Sequence, residues 1–167
     1  MLKVILSLCL LLTPMLATAQ QSLSVGDKAP NFTIKRLNGT QFHLADYQGK
    51  KPVYLIFWNT WCGYCIQKVP TINELARTYG QELEILAINT SWSDDKELIR
   101  AFQQQHQTDY PMAFDDNATI TDLFDVWGSP TEFIIDINGR IQHRDKVPQI
   151  SAKTLDAWTK PCLPEVC

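Results

Sequence analysis

The sequence predicts an α/β domain in three layers, α/β/α, with a mixed central sheet and a β-hairpin extension at its N-terminal end. Two observations support this fold class. Apolar, β-prone runs alternate with segments of helical periodicity between residues 53 and 124, which is typical of strands joined by helices. Asn-Gly pairs at 38–39 and 138–139 are strong hairpin signals, and they predict a β-hairpin near each end of the domain.

Size and composition are those of one globular domain. The chain has 167 residues, of which 45% are hydrophobic and 20% are charged, ordinary values for a soluble protein. The formal net charge is -3, so the charge balance gives no electrostatic reason to expect nucleic acid or an anionic membrane as a partner. We expect a monomer that binds no nucleic acid.

The first 19 residues have the organisation of a secretory signal peptide. Lys3 provides the positive charge, residues 4–12 form an apolar run interrupted by Ser7, and Ala17-Thr18-Ala19 supplies the small residues that a signal peptidase accepts. An uncleaved membrane anchor is the alternative, although the apolar segment is shorter than the ~20 residues that span a bilayer. We therefore expect export to the bacterial periplasm, without stable membrane insertion after cleavage.

The exported chain divides into three parts. Residues 20–31 are polar and contain Gly26 and Pro30, which indicates a mobile lead-in. Residues 32–160 form the domain, because no linker interrupts them, and residues 161–167 form a tail.

Each element of the domain follows from its local pattern. The first hairpin pairs residues 32–37 with residues 41–44. Residues 53–58 are continuously apolar, which predicts a central strand covered on both faces. Helical spacing then runs from Gly63 to a C-terminal Gly80. The remaining elements are a strand over 83–88, a helix over 94–107, a strand over 110–114, a helix over 119–124, strands over 133–137 and 141–144, and a helix over 151–160 capped by Ser151.

Four of the five cysteines follow the predicted cleavage site, and they form two close pairs, Cys62 with Cys65 and Cys162 with Cys167. In an oxidising compartment an even number of cysteines indicates disulfide pairing. For the C-terminal pair we expect a structural disulfide that fastens the tail. An auxiliary dithiol that relays electrons is the alternative.

The first pair is placed for redox chemistry. It lies where the central strand ends and a helix begins, so unpaired N–H groups and the helix dipole favour a thiolate at Cys62. One helical turn brings the sulfur of Cys65 against it. We predict Cys62 as the nucleophile and Cys65 as the resolving thiol. A zinc half-site is the alternative, but the sequence offers no second ligand pair at suitable spacing, and we expect no metal.

Three segments resemble those of a known family. Residues 57–65, Phe-Trp-Asn-Thr-Trp-Cys-Gly-Tyr-Cys, followed by Pro70, resemble the active site of the thioredoxin superfamily. Residues 128–140 are similar to the family segment that holds its cis-proline, strand and hairpin, and residues 26–32 resemble the opening of the TlpA/ResA-like and peroxiredoxin-like branches. The resemblance covers residues 25–160 and implies a thioredoxin-like fold and an exported thiol–disulfide oxidoreductase of the TlpA/ResA-like type.

The resemblance also implies a substrate-binding surface. Pro130 would be cis and packed against the cysteine pair, and the backbone at Ser129 would pair with an extended substrate chain. Trp61 would form an apolar rim beside the cysteines, and Gly63 and Tyr64 between them would complete the surface.

Two positions depart from the family pattern. Ile56 stands where thioredoxins carry a buried Asp, and Lys68 stands where many TlpA/ResA-like members carry a Glu. Glu132 is a nearby acid that strand alternation would turn beneath the cysteines, the alternative being an exposed carboxylate. We predict Glu132 and Lys68 as the proton-handling candidates.

The function that the resemblance implies is reduction of protein disulfides, such as those of apocytochrome c. Electrons would come from a membrane-bound or soluble donor, with no cofactor beyond the Cys62–Cys65 disulfide. A thiol peroxidase-like redoxin is one alternative, but the closely spaced second cysteine fits it poorly. A copper-carrying metallochaperone is another, with His143 as its candidate distant ligand.

Overall fold

The structure is a computed structural model that describes residues 22–145 and 147–161. A five-stranded mixed sheet and a separate two-stranded hairpin confirm the predicted fold class. The predicted signal peptide of residues 1–19 and the Cys162–Cys167 pair lie outside the described residues.

The strands follow in chain order as β1 (Thr33–Lys35), β2 (Gln41–His43), β3 (Val53–Trp58), β4 (Glu84–Asn89), β5 (Met112–Phe114), β6 (Thr131–Ile135) and β7 (Ile141–Arg144). β1 and β2 form the hairpin, and the larger sheet has the order β5-β4-β3-β6-β7. The central strand β3 is parallel to β4 and antiparallel to β6.

The helices are α1 (Gly63–Tyr79), α2 (Lys96–His106), α3 (Thr119–Leu123) and α4 (Ala152–Trp158), with 3-10 turns at Leu44–Tyr47 and Asp116–Ala118. Buried residues of α1, α2 and α4 pack on one face of the sheet, which we call the α1 face. Buried residues of α3 and of the hairpin pack on the opposite face. These are the two outer layers of the predicted architecture.

Strand β3 is buried on both faces, as its continuous apolar sequence predicts. Its six residues are each 3% exposed or less. Tyr54, Ile56 and Trp58 point to the α1 face, whereas the alternate residues of the strand point to the opposite face. The start of α1 therefore follows directly on a strand that lies in the middle of the core.

Strand β6 begins two residues earlier than the predicted 133–137 and ends at Ile135. The strand ends there because of Asp136, whose carboxylate accepts the backbone N–H groups of Asn138 and Arg140, each at 2.9 Å. These bonds begin the turn at Asp136. Glu132 consequently lies inside the strand rather than ahead of it.

The segment predicted to be a mobile lead-in is hydrogen-bonded along β7. The N–H groups of Gly26 and Ala29 donate to the carbonyls of Ile141 and Gly139 at 2.8 and 2.9 Å, and Ile141 N–H donates to Asp27 at 2.9 Å. A polar composition does not reveal such backbone pairing. The segment covers the outer edge of the sheet, an edge that would otherwise expose unpaired backbone groups.

Across residues 22–145 and 147–161, no helix is long and apolar enough to cross a bilayer.

Candidate active site

A disulfide joins Cys62 and Cys65 at the junction of β3 and α1, with 5.2 Å between the two Cα atoms. Cys62 has an extended backbone conformation and is the N-cap of α1, whereas Cys65 lies in its first turn. The two residues are 5% and 6% exposed. The structure therefore describes the oxidised form of the predicted pair.

The position of Cys62 favours its thiolate. Its sulfur accepts the backbone N–H of Cys65 at 3.2 Å, in the way that a capping side chain does. It also faces the positive end of the dipole of α1, a helix of 17 residues. After reduction, both effects would stabilise negative charge on Cys62, as the predicted nucleophile requires.

The predicted substrate-binding residues surround this pair. The Ser129–Pro130 peptide bond is cis, and Pro130 lines a small cavity together with Cys65. Trp61 and Tyr64 are 58% and 73% exposed, unusually high values for large aromatic side chains. Gly63, between the cysteines, is also exposed. The pair therefore lies beneath a partly aromatic surface that faces solvent.

Asn59 connects the active-site loop to the proline loop. The residue is fully buried, and its side-chain oxygen accepts the hydroxyls of Ser129 at 2.6 Å and Thr90 at 2.9 Å. Its amide donates to the carbonyl of Trp92 at 3.2 Å. One side chain thus holds together the segments that follow β3 and β4 and the segment that precedes β6.

Asp94 braces the same region. Its carboxylate accepts the backbone N–H of Thr60 at 2.8 Å and the side-chain amide of Asn89 at 2.7 Å. The predicted second helix would have begun at this residue, but α2 begins at Lys96, with Asp95 as its N-cap. Asp94 is engaged by the active-site loop instead.

Glu132 lies on the α1 face beneath the cysteine-bearing helix, and it is 2% exposed. The register places it opposite Ile56 of β3. The hydroxyl of Tyr54 donates to Oε1 of Glu132 at 2.5 Å, and Nζ of Lys68 in α1 donates to Oε2 at 2.5 Å. The two proton-handling candidates are therefore in direct contact, and Tyr54 is a third member that the sequence analysis did not identify.

This buried carboxylate has one neutral and one charged partner. Burial, and then the adjacent Glu132 carboxylate, raise the pKa of Tyr54, so its hydroxyl stays protonated and remains a donor. The side chain of Lys68 is 43% exposed. It lies with Tyr54 in the wall of a groove of about 730 Å³ along α1. Lys68 thus joins a buried acid to solvent.

Trp127 is a further surface residue that the sequence analysis did not single out. It precedes the Gly128-Ser129-Pro130 loop and is 86% exposed. Its position directly before the proline loop could have drawn attention to it. A loop sequence, however, does not reveal whether a tryptophan side chain is exposed.

His143, the candidate copper ligand, lies on β7 with its ring centroid 5.6 Å from that of Trp158. Burial lowers its pKa. Among the residues that the structure describes, no three His, Cys, Asp or Glu side chains converge as metal ligands would.

A mixed five-stranded sheet, a Cys-x-x-Cys disulfide at the start of a helix and a cis-proline beside it define the class of protein: a thioredoxin-like thiol–disulfide oxidoreductase. The model of the AhpC/TSA family matches residues 25–144. The chain belongs to this family, which confirms the resemblance found in the sequence.

Proteins of similar sequence and structure agree with this assignment. The chain is 32% identical over 148 residues to the thiol-disulfide oxidoreductase ResA of Bacillus thuringiensis subsp. konkukian, covering 88% of this chain and 83% of the relative. It is 36% identical over 118 residues to the thioredoxin-like protein YneN of Bacillus subtilis, covering 70% and 68%. It is also similar to the crystal structure of a candidate thiol:disulfide interchange protein DsbE from Chlorobium tepidum, with a TM-score of 0.67, 34% identity, and 74% and 86% of the two chains covered.

Proposed function

We propose that this oxidoreductase reduces protein disulfides outside the cytoplasm, among them those of apocytochrome c. The observation that carries the proposal is the position of the pair, with Cys62 capping α1 and Cys65 buried in the first turn of the same helix. That arrangement gives one nucleophile whose thiolate the helix end stabilises and one resolving thiol in the first turn of the helix. Export rests on the signal peptide predicted for residues 1–19.

In the first half of the reaction, Cys62 is the nucleophile. Its thiolate attacks one sulfur of the substrate disulfide, the substrate S–S bond breaks, and the second substrate sulfur leaves as a thiolate. The enzyme and substrate are then joined by a mixed disulfide. Helix-end stabilisation of the Cys62 thiolate makes this step fast at neutral pH, and also makes Cys62 a good leaving group later.

In the second half of the reaction, Cys65 resolves the mixed disulfide. Its thiol loses a proton and attacks Sγ of Cys62, so that the Cys62–Cys65 disulfide forms and the remaining substrate sulfur leaves as a thiolate. Because Cys65 is buried, water at the surface cannot take this proton directly. Glu132 is the acid beneath the pair, and Lys68 links it to the groove along α1. We assign proton handling to these two side chains.

Substrate recognition is assigned to the surface around the disulfide. A substrate chain in extended form would pair with the backbone at Ser129, while Pro130, which has no N–H, leaves the space above the sulfurs open. Trp61 and Tyr64 would contact apolar side chains of the substrate. Backbone pairing with a flanking aromatic surface accepts many sequences, as a general protein reductant requires. A membrane-bound or soluble donor would then reduce the pair again.

Insulin reduction tests the two cysteine roles. Cys62→Ala should abolish it, because no nucleophile remains, whereas Cys65→Ala should accumulate mixed disulfides with substrate proteins. Full multiple-turnover activity in Cys65→Ala would show that the assignment of the resolving thiol is wrong. Ala substitution at both Cys162 and Cys167, which we propose to form a structural disulfide, is the matched control and should keep the activity.

The reduction potential of the Cys62–Cys65 couple tests the direction of electron flow. We expect a value near that of thioredoxin, about -270 mV, in equilibrium with a glutathione or dithiothreitol buffer. A value near about -120 mV, typical of a strong oxidant, would contradict the reductive assignment while leaving the chemistry of the pair intact.

A further inference from the structure

Trp61 is an exposed side chain that the fold nevertheless holds in place. The residue is 58% exposed, yet its indole Nε1–H donates to the backbone carbonyl of Trp92 at 2.9 Å. Exposed side chains ordinarily exchange between rotamers within nanoseconds. The hydrogen bond instead ties this ring to the loop that follows β4, 31 positions further along the chain.

That loop, residues 90–94, which we call the β4 loop, has a strained backbone. Ser91 and Ser93 have φ angles of 61° and 59°, a left-handed conformation that is unfavourable for residues other than glycine. Between them, Trp92 packs against the core on the opposite face of the sheet. Such strain persists where the surroundings impose it, and it is concentrated at functional sites. Here the two serines accompany an inward tryptophan ring and a tryptophan carbonyl that faces the active-site loop.

Asp94 fastens the β4 loop to the turn that carries Trp61. Its Oδ2 accepts the backbone N–H of Thr60 at 2.8 Å, and its Oδ1 accepts the hydroxyl of the same residue at 2.5 Å. The carboxylate also accepts the side-chain amides of Asn89 at 2.7 Å and Asn59 at 3.2 Å. Three of these four donors belong to the two residues directly ahead of Trp61. The β4 loop therefore holds both the backbone that leads to Trp61 and its ring.

We propose that the β4 loop is a clamp that keeps Trp61 in the orientation that substrate chains require, and that Asp94 is its positioning residue. The inference rests on the function proposed above, in which Trp61 contacts apolar side chains beside the substrate disulfide. A ring that is already ordered does not have to be immobilised on binding, so the clamp increases affinity without taking part in the thiol chemistry. Asp94 acts through Thr60 and Trp61.

NMR spectroscopy of the indole N–H groups tests the clamp directly. In the oxidised wild type the Trp61 signal, assigned with Trp61→Phe, should show nuclear Overhauser contacts to the β4 loop and slow hydrogen exchange. Asp94→Ala should lose both. Asp94→Asn should keep them, because the Asn oxygen can accept the Thr60 N–H and its amide can donate to the Thr60 hydroxyl. Rapid exchange in the wild type would overturn the clamp without any variant having to fold, and unchanged signals in Asp94→Ala would also overturn it.

Kinetics with two substrates tests the consequence for binding. In Asp94→Ala the KM for insulin should rise about two- to tenfold, the cost of ordering one large side chain on binding. The rate with a small aromatic disulfide and the reduction potential of the cysteine couple should not change, and Asp94→Asn should restore the KM. Asp136→Ala is the matched control. It removes a carboxylate that accepts two backbone N–H groups at the other end of the sheet, and it should leave the KM unchanged.

The clamp and the proposed function fail differently. An equal loss with both substrates, or a shifted reduction potential, in Asp94→Ala would show that Asp94 acts on the cysteines. That result would overturn the clamp and leave disulfide reduction standing. A wild type that does not reduce insulin would overturn the proposed function and the binding role of the clamp with it, whereas the Trp61 indole signal would still decide whether the β4 loop orients the ring.

Discussion

The two faces of the central sheet are made by the same strands, yet they differ in chemistry. On the α1 face, β3 presents Tyr54, Ile56 and Trp58, and Glu132 of β6 lies among them in contact with Tyr54. A buried acid, two polar aromatic groups and a cavity are therefore enclosed beneath the redox pair. Each of these features costs stability relative to an apolar, filled core.

The opposite face is a packed aromatic core. Phe57, Phe124 and Phe133 are all fully buried, and their ring centroids are 5.2 to 5.9 Å apart in tilted and edge-to-face arrangements. Such packing stabilises the sheet through the contacts of the rings themselves. The comparison indicates that alternation along a single strand separates two tasks: stability on one face and, on the other, the proton chemistry that we propose.

Truncating the aromatic core should give the largest effect. Phe133→Ala removes a fully buried ring and should lower the free energy of unfolding by about 3–5 kcal/mol. Insulin reduction per folded molecule should nevertheless stay unchanged, measured at a temperature where the variant is folded. Phe133→Leu is a milder version with the same expectation. Loss of activity in a folded variant would show that the two faces are coupled.

Substitutions in the Glu132–Lys68 pair should slow the resolving step, and removing the cation should also lower stability by a smaller amount than Phe133→Ala. Glu132→Gln keeps the shape of the side chain but cannot accept the proton, so resolution by Cys65 should slow roughly ten- to a hundredfold, with a changed pH profile. Lys68→Met leaves the buried carboxylate without its cation. It should lower the free energy of unfolding by roughly 1–3 kcal/mol, less than for a fully buried pair, because Lys68 is 43% exposed. An unchanged pH–rate profile in Glu132→Gln would reduce Glu132 to a structural residue.

Trp127 should affect binding and neither stability nor chemistry. Its side chain is 86% exposed beside the proline loop, and Trp127→Ser removes an apolar contact for protein substrates. KM for the disulfide forms of apocytochrome c or insulin should rise several-fold, whereas the rate with a small aromatic disulfide should not change. Val25→Ser, at another exposed apolar residue, is the control. An equal loss with both substrates would argue against a docking role.

The smallest effect concerns His143 and pH. Burial lowers its pKa in the folded state, so the unfolded state binds the proton more readily. The stability that comes from neutral His143 is present above the reference pKa of about 6.5 and is lost as pH falls through the folded value. Urea unfolding on both sides of this range should show a smaller pH dependence in His143→Gln than in the wild type. Equal slopes would show that His143 titrates alike in both states.

Local patterns in the sequence predicted most of the fold. The run over 53–58 gave the bounds of β3, and the helical spacing from Gly63 to Gly80 gave α1. The Ser151 cap of α4 was also predicted, and its side chain accepts the N–H of Thr154. These elements follow from residues that are close together in the chain, which a sequence displays directly.

The site was predictable only in part, because several of its contacts join distant segments. Strand alternation suggested that Glu132 points inward, but its partner Tyr54 lies 78 positions away and is set by the register of β3 on β6. An apolar run likewise gives no sign that the Nε1–H of Trp58 is buried without an acceptor among residues 22–145 and 147–161. In the sequence, Lys68 occupies the position where many relatives carry a Glu, so that acid is absent from its usual place. In the fold, Lys68 forms an ion pair with Glu132, an acid that comes from strand β6.

Asn59 has a consequence for the order in which the protein matures. The two cysteines are separated by three positions and can form a disulfide in a chain that has barely begun to fold. The bond from Ser129 to Asn59, by contrast, spans 70 positions and requires β6 to be paired with β3. A newly made chain can therefore acquire its disulfide early, but the surface that we propose for substrate binding forms only once β6 has been added to the sheet.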